Sequence, residues 1–194
     1  MKPLVIVVKV GGSLFVQPQF VNRLQSLVQR LLKELAPAHL VLVVGGGPLV
    51  DALRAVDRVN AVSSEHSHWA AIRLMDVNAE LLQHWWPRLD SVSSLEQLKT
   101  RCTNAGLTQF RVVEFLRDKE PSLPGTRLPV GWEVTSDSIA ARIAEVLDAE
   151  QLILIKSAPQ HSATDWNAAA SSGVVDSFFP TIATKLNLVR MASF

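Results

Sequence analysis

The stretch "LVIVVKVGGSLF" at residues 4–15 decides the fold, because a short apolar run ends in a lysine and two glycines. Five consecutive apolar residues are typical of a strand that is covered on both faces, as in a parallel sheet. The arrangement returns at residues 39–48, where "HLVLVV" leads into "GGGP". One glycine loop is ordinary turn chemistry. Two such loops, each at the end of a buried strand, indicate that both loops serve the same function.

The segment between these strands, residues 17–35, predicts a helix, since its apolar residues recur at spacings of three and four. Strand, loop, helix and strand form a βαβ unit, whose right-handed crossover makes both strands parallel. Further helices are predicted at 48–56, 69–86, 94–101 and 135–147, further strands at 110–116, 151–155 and 187–191, and weak structure at 161–173. We therefore expect one α/β domain over residues 1–194 with a mostly parallel open sheet.

Composition excludes several classes of partner. The net charge is +1 and 19% of the residues are charged, so no broad basic surface indicates nucleic acid or acidic lipid. The longest apolar runs are about five residues, against the ~20 that span a bilayer. Cys102 is the only cysteine, which excludes an internal disulfide and fits a reducing compartment. We expect a soluble, cytoplasmic protein, with Cys102 acting as a small buried apolar residue.

Three features fall at the carboxyl ends of predicted strands, where open parallel sheets bind ligands: both glycine loops and Lys156. Glycine lets an anion approach the backbone closely, and N–H groups at a following helix start attract negative charge. Lys9 and Lys156 supply compact positive charges. The pattern indicates a reaction in which both reactants carry phosphate groups.

Three segments in this order, "VVKVGGSLF", "VLVVGGGPLVDAL" and "VTSDSIAARIAEVLDAEQLILIKSA", resemble the amino acid kinase family, which includes acetylglutamate, aspartate, uridylate and isopentenyl phosphate kinases. The resemblance covers residues 4–56 and 133–158 and extends to 69–82. It implies a three-layer α/β/α sandwich and transfer of the γ-phosphoryl group of ATP, with Mg²⁺. It also implies a homodimer or higher homo-oligomer, with 69–86 at the dimer surface. We expect an acceptor-binding half at about 1–116 and a nucleotide-binding half at about 117–194.

The resemblance also implies roles for individual residues. Lys9 would stabilise charge on the transferring phosphoryl group, and Asp137 would organise the lysines and contact Mg²⁺ through water. The residues implied at the ATP phosphates are Gly11, Gly12, Ser13 and Ser157. The residues implied at the acceptor are Gly45, Gly46, Gly47, Asp51, Arg73, Asn78 and Thr135. Such roles suit phosphoryl transfer, which needs positioning and charge neutralisation more than covalent chemistry.

The chain also departs from the family pattern. Lys156 and Ser157 follow the strand "LILI" where members carry serine or threonine and then aspartate. The late Gly-Gly-Met segment with a second catalytic lysine is replaced by "GVVDSFFPTIATKLN" at 173–187. Lys156 or Lys185 would supply that charge, and we prefer Lys156 because its place at a strand end is better defined.

Further segments, "SEHSHWAAIRLMDVNA", "LPVGWEVTSDSIAARIA" and "LIKSA" with "GVVDSFFP", are similar to a small subgroup linked to methanofuran and tetrahydromethanopterin biosynthesis. In its archaeal members the acceptor is an aminomethyl-furan-methyl phosphate. Arg73 would then help to hold the phosphate, and Asp76 or Asp51 the amine.

We therefore expect an ATP-dependent phosphotransferase acting on a small phosphorylated acceptor. The alternative is a nucleotide- or anion-binding protein on the same fold without turnover, which the missing late lysine favours. A Rossmann-type dehydrogenase ranks last, because neither loop has the required three-glycine spacing.

Other conspicuous residues receive plainer interpretations. Glu65, His66 and His68 have no further ligand pair at a recognisable spacing, so we expect a polar loop there and no metal site. His68 would contact the acceptor if it has a function. Trp132 and Trp166 fall in predicted loops near the expected site, where packing is the default interpretation.

Overall fold

The computed structural model describes residues 2–157 and 165–194. Within these ranges six strands form one sheet in the order β3–β4–β2–β1–β5–β6, and every neighbouring pair is parallel. The strands are β1 (Leu4–Val10), β2 (Ala38–Val44), β3 (Asp90–Val92), β4 (Gly106–Phe110), β5 (Gln151–Lys156) and β6 (Val189–Ser193). The all-parallel sheet confirms the expected α/β fold.

Helices cover both faces of this sheet. They are α1 (Phe20–Glu34), α2 (Gly47–Val59), α3 (Ser64–Trp85), α4 (Leu95–Arg101), α5 (Ser136–Val146), α6 (Trp166–Ser171) and α7 (Phe179–Ala183). Val5 and Val7 of β1 join one core with α4, α5 and α7, and Ile6 and Val8 join the other core with α1. The three-layer α/β/α sandwich is thereby confirmed. Among the described residues, no helix is both long and apolar enough to cross a membrane.

The prediction of a strand at 110–116 is wrong. The strand there is β4, which ends at Phe110, and the chain then turns into a π-helical turn at Phe115–Lys119. The turn follows because the carboxylate of Asp76 accepts hydrogen bonds from the N–H groups of Val112 (2.8 Å) and Val113 (3.4 Å). These two N–H groups therefore donate to a carboxylate on α3 and are not available for hydrogen bonds to a neighbouring strand.

Two further segments differ from the prediction. Helix α3 begins at Ser64 rather than 69, because the hydroxyl of Ser63 accepts a hydrogen bond from the N–H of His66 and caps the helix. The expected polar loop at 65–68 is therefore helical. Trp166 lies in α6, not in a loop, and packs edge-on against Phe179 with 5.2 Å between ring centroids. The prediction for 161–164 lies outside the described residues.

A buried arginine holds the long connection between β4 and α5. The Arg142 side chain is fully buried, and its guanidinium donates to Glu120 (3.2 Å) and Glu145 (2.6 Å). It also donates to the main-chain carbonyls of Leu123 (3.3 Å) and Pro124 (2.9 Å). One side chain of α5 therefore fixes the connection that later reaches the functional site.

We expect Arg142→Ala to lower the free energy of unfolding by about 3–5 kcal/mol, because it leaves the Glu120 carboxylate buried without its cation. Arg101→Ala is the matched control, since Arg101 pairs with Asp90 on the surface, and there the loss should be about 1 kcal/mol or less. Urea denaturation followed by circular dichroism measures both. Equal losses in the two variants would contradict this account.

Candidate functional site

The two glycine loops touch each other at the carboxyl ends of β1 and β2. A Cβ atom on Gly12 would lie 2.1 Å from the backbone N of Gly47, and one on Gly47 would lie 2.3 Å from the carbonyl of Gly12. Gly47 also has a φ of +49°, a conformation that favours glycine. The loops therefore lack side chains because their backbones pack directly together.

Part of each loop belongs to the sheet, and part faces a cavity. The N–H of Gly11 donates to the carbonyl of Ile155 (3.0 Å), and the N–H of Gly45 donates to that of Val10 (2.9 Å). These two amide groups are thus already used within the fold. The loop residues that line the cavity, which has a volume of about 210 Å³, are Gly12, Ser13, Gly46 and Gly47.

Asn78 supports the second loop from α3. Its buried side-chain amide donates to the carbonyls of Gly45 (2.8 Å) and Gly46 (2.9 Å). The predicted acceptor residue thus lies behind the loop and fixes its shape.

Asp137 joins the two predicted lysines. Its carboxylate lies 2.9 Å from Nζ of Lys9 through one oxygen and 2.8 Å from Nζ of Lys156 through the other. Lys156 also donates to the first oxygen at 2.9 Å. Lys9 comes from β1, Lys156 from the neighbouring β5 and Asp137 from the first turn of α5. The structure therefore brings together the three residues predicted as catalytic.

This cluster carries an excess of positive charge. Burial acts to raise the pKa of Asp137, but the charges of Lys9 and Lys156 outweigh it, so the pKa is lowered and the carboxylate is ionised. Burial and the charge of Lys9 lower the pKa of Lys156 to about 8, although Asp137 opposes the shift. Two ammonium groups around one carboxylate leave a net positive charge beside the glycine loops, which suits an anionic ligand.

Asp176 supports the site from outside the cavity, and the sequence analysis missed it. Its carboxylate accepts hydrogen bonds from the N–H (3.0 Å) and hydroxyl (2.9 Å) of Thr135. It also accepts from the N–H (3.0 Å) and hydroxyl of Ser138. Thr135 is the N-cap residue of α5 but makes no capping bond with its own side chain, so Asp176 caps the helix from a distant segment. The sequence feature that could have indicated this role is the presence of a single acidic residue, Asp176, in the otherwise mostly apolar stretch "GVVDSFFP".

The other predicted residues divide into two groups. Asp51 and Thr135 line the cavity with the loops, whereas Arg73 is exposed on α3, outside the described lining. Ser157 is exposed directly after Lys156. Lys185, the alternative second lysine, donates to the hydroxyl of Thr126 (2.8 Å) and has no described contact with Asp137.

The rest of the cavity is built from two helices and one loop. Val50, Ile72, Met75 and Val134 supply apolar surface, and His68 and Trp132 supply rings. The Nδ1 atom of His68 lies 3.0 Å from the carbonyl oxygen of Gly131, which ties α3 to the loop. The cavity is therefore charged beside the glycine loops, and its α3 side, with Ile72 and Met75, is apolar.

The sequence model of the amino acid kinase family matches residues 4–160, and the protein belongs to that family. It is 24% identical over 151 residues to the [5-(aminomethyl)furan-3-yl]methyl phosphate kinase of Methanocaldococcus jannaschii. That match covers 76% of this chain and 63% of the archaeal kinase, so the chain spans about three-fifths of its length.

Solved structures of UMP and aspartate kinases share the fold. The UMP kinase of Ureaplasma parvum superposes with a TM-score of 0.71 at 14% identity, covering 100% of this chain and 91% of its own. The uridylate kinase of Archaeoglobus fulgidus gives 0.64 at 15% identity, covering 97% and 90%. The aspartate kinase of Synechocystis gives 0.63 at 13% identity, covering 98% of this chain and 38% of its own.

We expect Gly12→Ala to destabilise the protein by about 1–3 kcal/mol, because the new methyl group would overlap the backbone of Gly47. Gly106→Ala is the control, since a Cβ there would meet only His39, at an ordinary 3.6 Å. Thermal unfolding of the two variants compares them. Equal melting temperatures would show that the loops do not pack as described.

Lysine carbon chemical shifts, followed by NMR over a pH series, should show Lys156 titrating near pH 8. The resonance is assigned by its loss in Lys156→Arg. Asp137→Asn should lower this pKa further, because the Asp137 carboxylate is the group that favours the charged ammonium. A pKa at or above 10 for Lys156, or a rise in Asp137→Asn, would contradict the electrostatics described above.

Proposed function

We propose that this protein is an ATP- and Mg²⁺-dependent phosphotransferase that acts on a small phosphorylated acceptor. The observation that carries the proposal is the buried Asp137 carboxylate, which holds Lys9 and Lys156 together beside two glycine loops. Phosphoryl transfer needs fixed positive charge around the transferring group and accurate positioning, and such a cluster supplies both. Membership of the amino acid kinase family supports the same reaction.

In the proposed reaction an oxygen of the acceptor phosphate attacks the γ-phosphorus of ATP, and the bond from that phosphorus to the leaving ADP oxygen breaks. Lys9 and Lys156 neutralise the charge that spreads over the transferring oxygens. The first residue of α2 lines the cavity, so the positive end of that helix dipole favours phosphate there.

Magnesium would enter this site with ATP. In the described ranges no group of three or more histidine, cysteine or acidic side chains is arranged to hold a metal, and both oxygens of Asp137 are bonded to lysines. That donor set fits Mg²⁺, which usually keeps several waters and binds substrate phosphates with few protein carboxylates. Asp137 would contact the waters of the ion, and the bound Mg²⁺ would neutralise the nucleotide phosphates.

The proposed acceptor is [5-(aminomethyl)furan-3-yl]methyl phosphate or a close analogue. The name of the archaeal relative supports this class. Asp51 lines the cavity and would hold the amine through the carboxylate oxygen that Arg54 does not contact, whereas the Asp76 carboxylate accepts hydrogen bonds from the N–H groups of Val112 and Val113.

We also propose that α3 forms a homodimer surface. Its exposed apolar residues Val77, Leu81 and Trp85 are spaced four apart and share one face of the helix. That assembly, the two functional halves of the chain and a cytoplasmic location stay predictions.

Phosphorus NMR of the protein with ATP, Mg²⁺ and the furan phosphate tests the proposal. We expect a diphosphate product and ADP, and a loss of about 100-fold or more in kcat for Lys9→Met, which removes charge at the transferring group. Lys119→Met is the control, because Lys119 pairs with Glu96 on the surface and should leave the rate unchanged.

Other outcomes separate the alternatives. Binding of nucleotide without transfer to any acceptor would favour a binding protein without turnover. Faster transfer to UMP than to the furan phosphate would reject the proposed acceptor and leave the phosphotransferase intact.

A further inference from the structure

Trp132 reaches the cavity from the loop before α5. Its side chain is held by one contact at the edge of the ring and another at one face of the ring. Its indole N–H donates to one carboxylate oxygen of Asp57, at 2.9 Å. The other oxygen of Asp57 accepts from the N–H of Val62, also at 2.9 Å. The edge of the indole is thus tied to the last turns of α2.

One face of the same indole is also occupied. The guanidinium carbon of Arg54 lies 4.9 Å from the ring centroid, within the range of a cation–π contact. Arg54 in turn donates to the carboxylate of Asp51, at 3.1 Å. Asp51, Arg54 and Trp132 all line the cavity, so this chain of contacts forms one of its walls.

Packing does not account for this arrangement. Trp69, Trp86 and Trp166 pack against the two hydrophobic cores, whereas Trp132 belongs to neither and is half-buried beside the cavity. The neighbouring Gly131 is already tied to His68, so the loop has an anchor of its own. An oriented aromatic ring outside the core, in the wall of a ligand cavity, points to contact with a ligand.

We propose that Trp132 is a specificity-determining residue that stacks against a planar ring in the acceptor. The inference rests on the proposed function, since it names the part of that acceptor which does not react. Helix α2 gives the approximate distance between the second glycine loop and Trp132. Arg54, which contacts the indole, is seven residues beyond Gly47, or roughly 10 Å along the helix axis. A single planar ring with a methyl phosphate spans that distance, with its phosphate at the glycine loops and its ring beside Trp132.

The opposite walls fit the same ligand. Ile72 and Met75 of α3 and Val134 of the loop present apolar surface to the cavity. A flat unsaturated ring would contact the indole and these side chains together, whereas a puckered saturated ring loses the stacking contact. The site should therefore discriminate between rings of the same size by planarity.

Calorimetric titration without ATP tests this inference on the full chain. The probes are furan-3-ylmethyl phosphate and its saturated counterpart, tetrahydrofuran-3-ylmethyl phosphate. We expect the wild type to bind the planar compound about 2- to 13-fold more tightly, the range that one aromatic stacking contact provides. Trp132→Leu should abolish the preference by weakening only the planar compound, and Trp132→Phe should restore most of it.

Val130→Ala is the matched control, because Val130 is an exposed residue of the same loop outside this cavity, and the preference should persist there. An equal loss for both compounds in Trp132→Leu would show that Trp132 only supports the loop, and would overturn the inference. No binding of either compound to the wild type would also overturn it. Because the readout is binding alone, a ring preference without phosphoryl transfer would leave this inference standing and reject the proposed function instead.

Discussion

One buried carboxylate controls the site. Asp137 neutralises one of two ammonium groups that would otherwise repel each other in a largely dry environment, and the remaining positive charge is available to a ligand. The arrangement depends on the sheet, because β1 and β5 are parallel neighbours whose carboxyl ends place Lys9 and Lys156 together. It depends equally on α5, whose first turn must present Asp137 to both lysines. Asp176 secures that turn by accepting the hydrogen bonds at the start of the helix.

The rest of the site is arranged around this cluster by contacts between distant segments. Gly12 and Gly47 let the loops of β1 and β2 approach until their backbones touch, and Asn78 holds the second loop from behind. Arg142 anchors the connection before α5, which brings Trp132 to the far end of the cavity. The lysine end and the Trp132 end of the cavity therefore have separate supports. A change at one end can alter ligand choice without dispersing the lysines.

Much of this arrangement follows from local sequence patterns. The apolar runs before Lys9, Gly45 and Lys156 predict buried parallel strands, and parallel strands bring their carboxyl ends to one edge of the sheet. What the sequence does not reveal are side chains that act across long separations. The roles of Asp176 and Arg142 depend on partners in segments far along the chain, so no local spacing shows them. The prediction of a strand at 110–116 fails for the same reason. Asp76, which lies on α3, accepts hydrogen bonds from the N–H groups of Val112 and Val113.

The central claim is that Asp137, Lys9 and Lys156 form one phosphate-binding unit. The most direct test is calorimetric titration of the folded protein with Mg²⁺ and a non-hydrolysable ATP analogue. The account predicts saturable binding in the micromolar range, weakened at least tenfold in Lys156→Met, because about 1.4 kcal/mol of lost charge interaction is a factor of ten. Absence of binding to the folded wild type, or equal affinity in the variant, would contradict it.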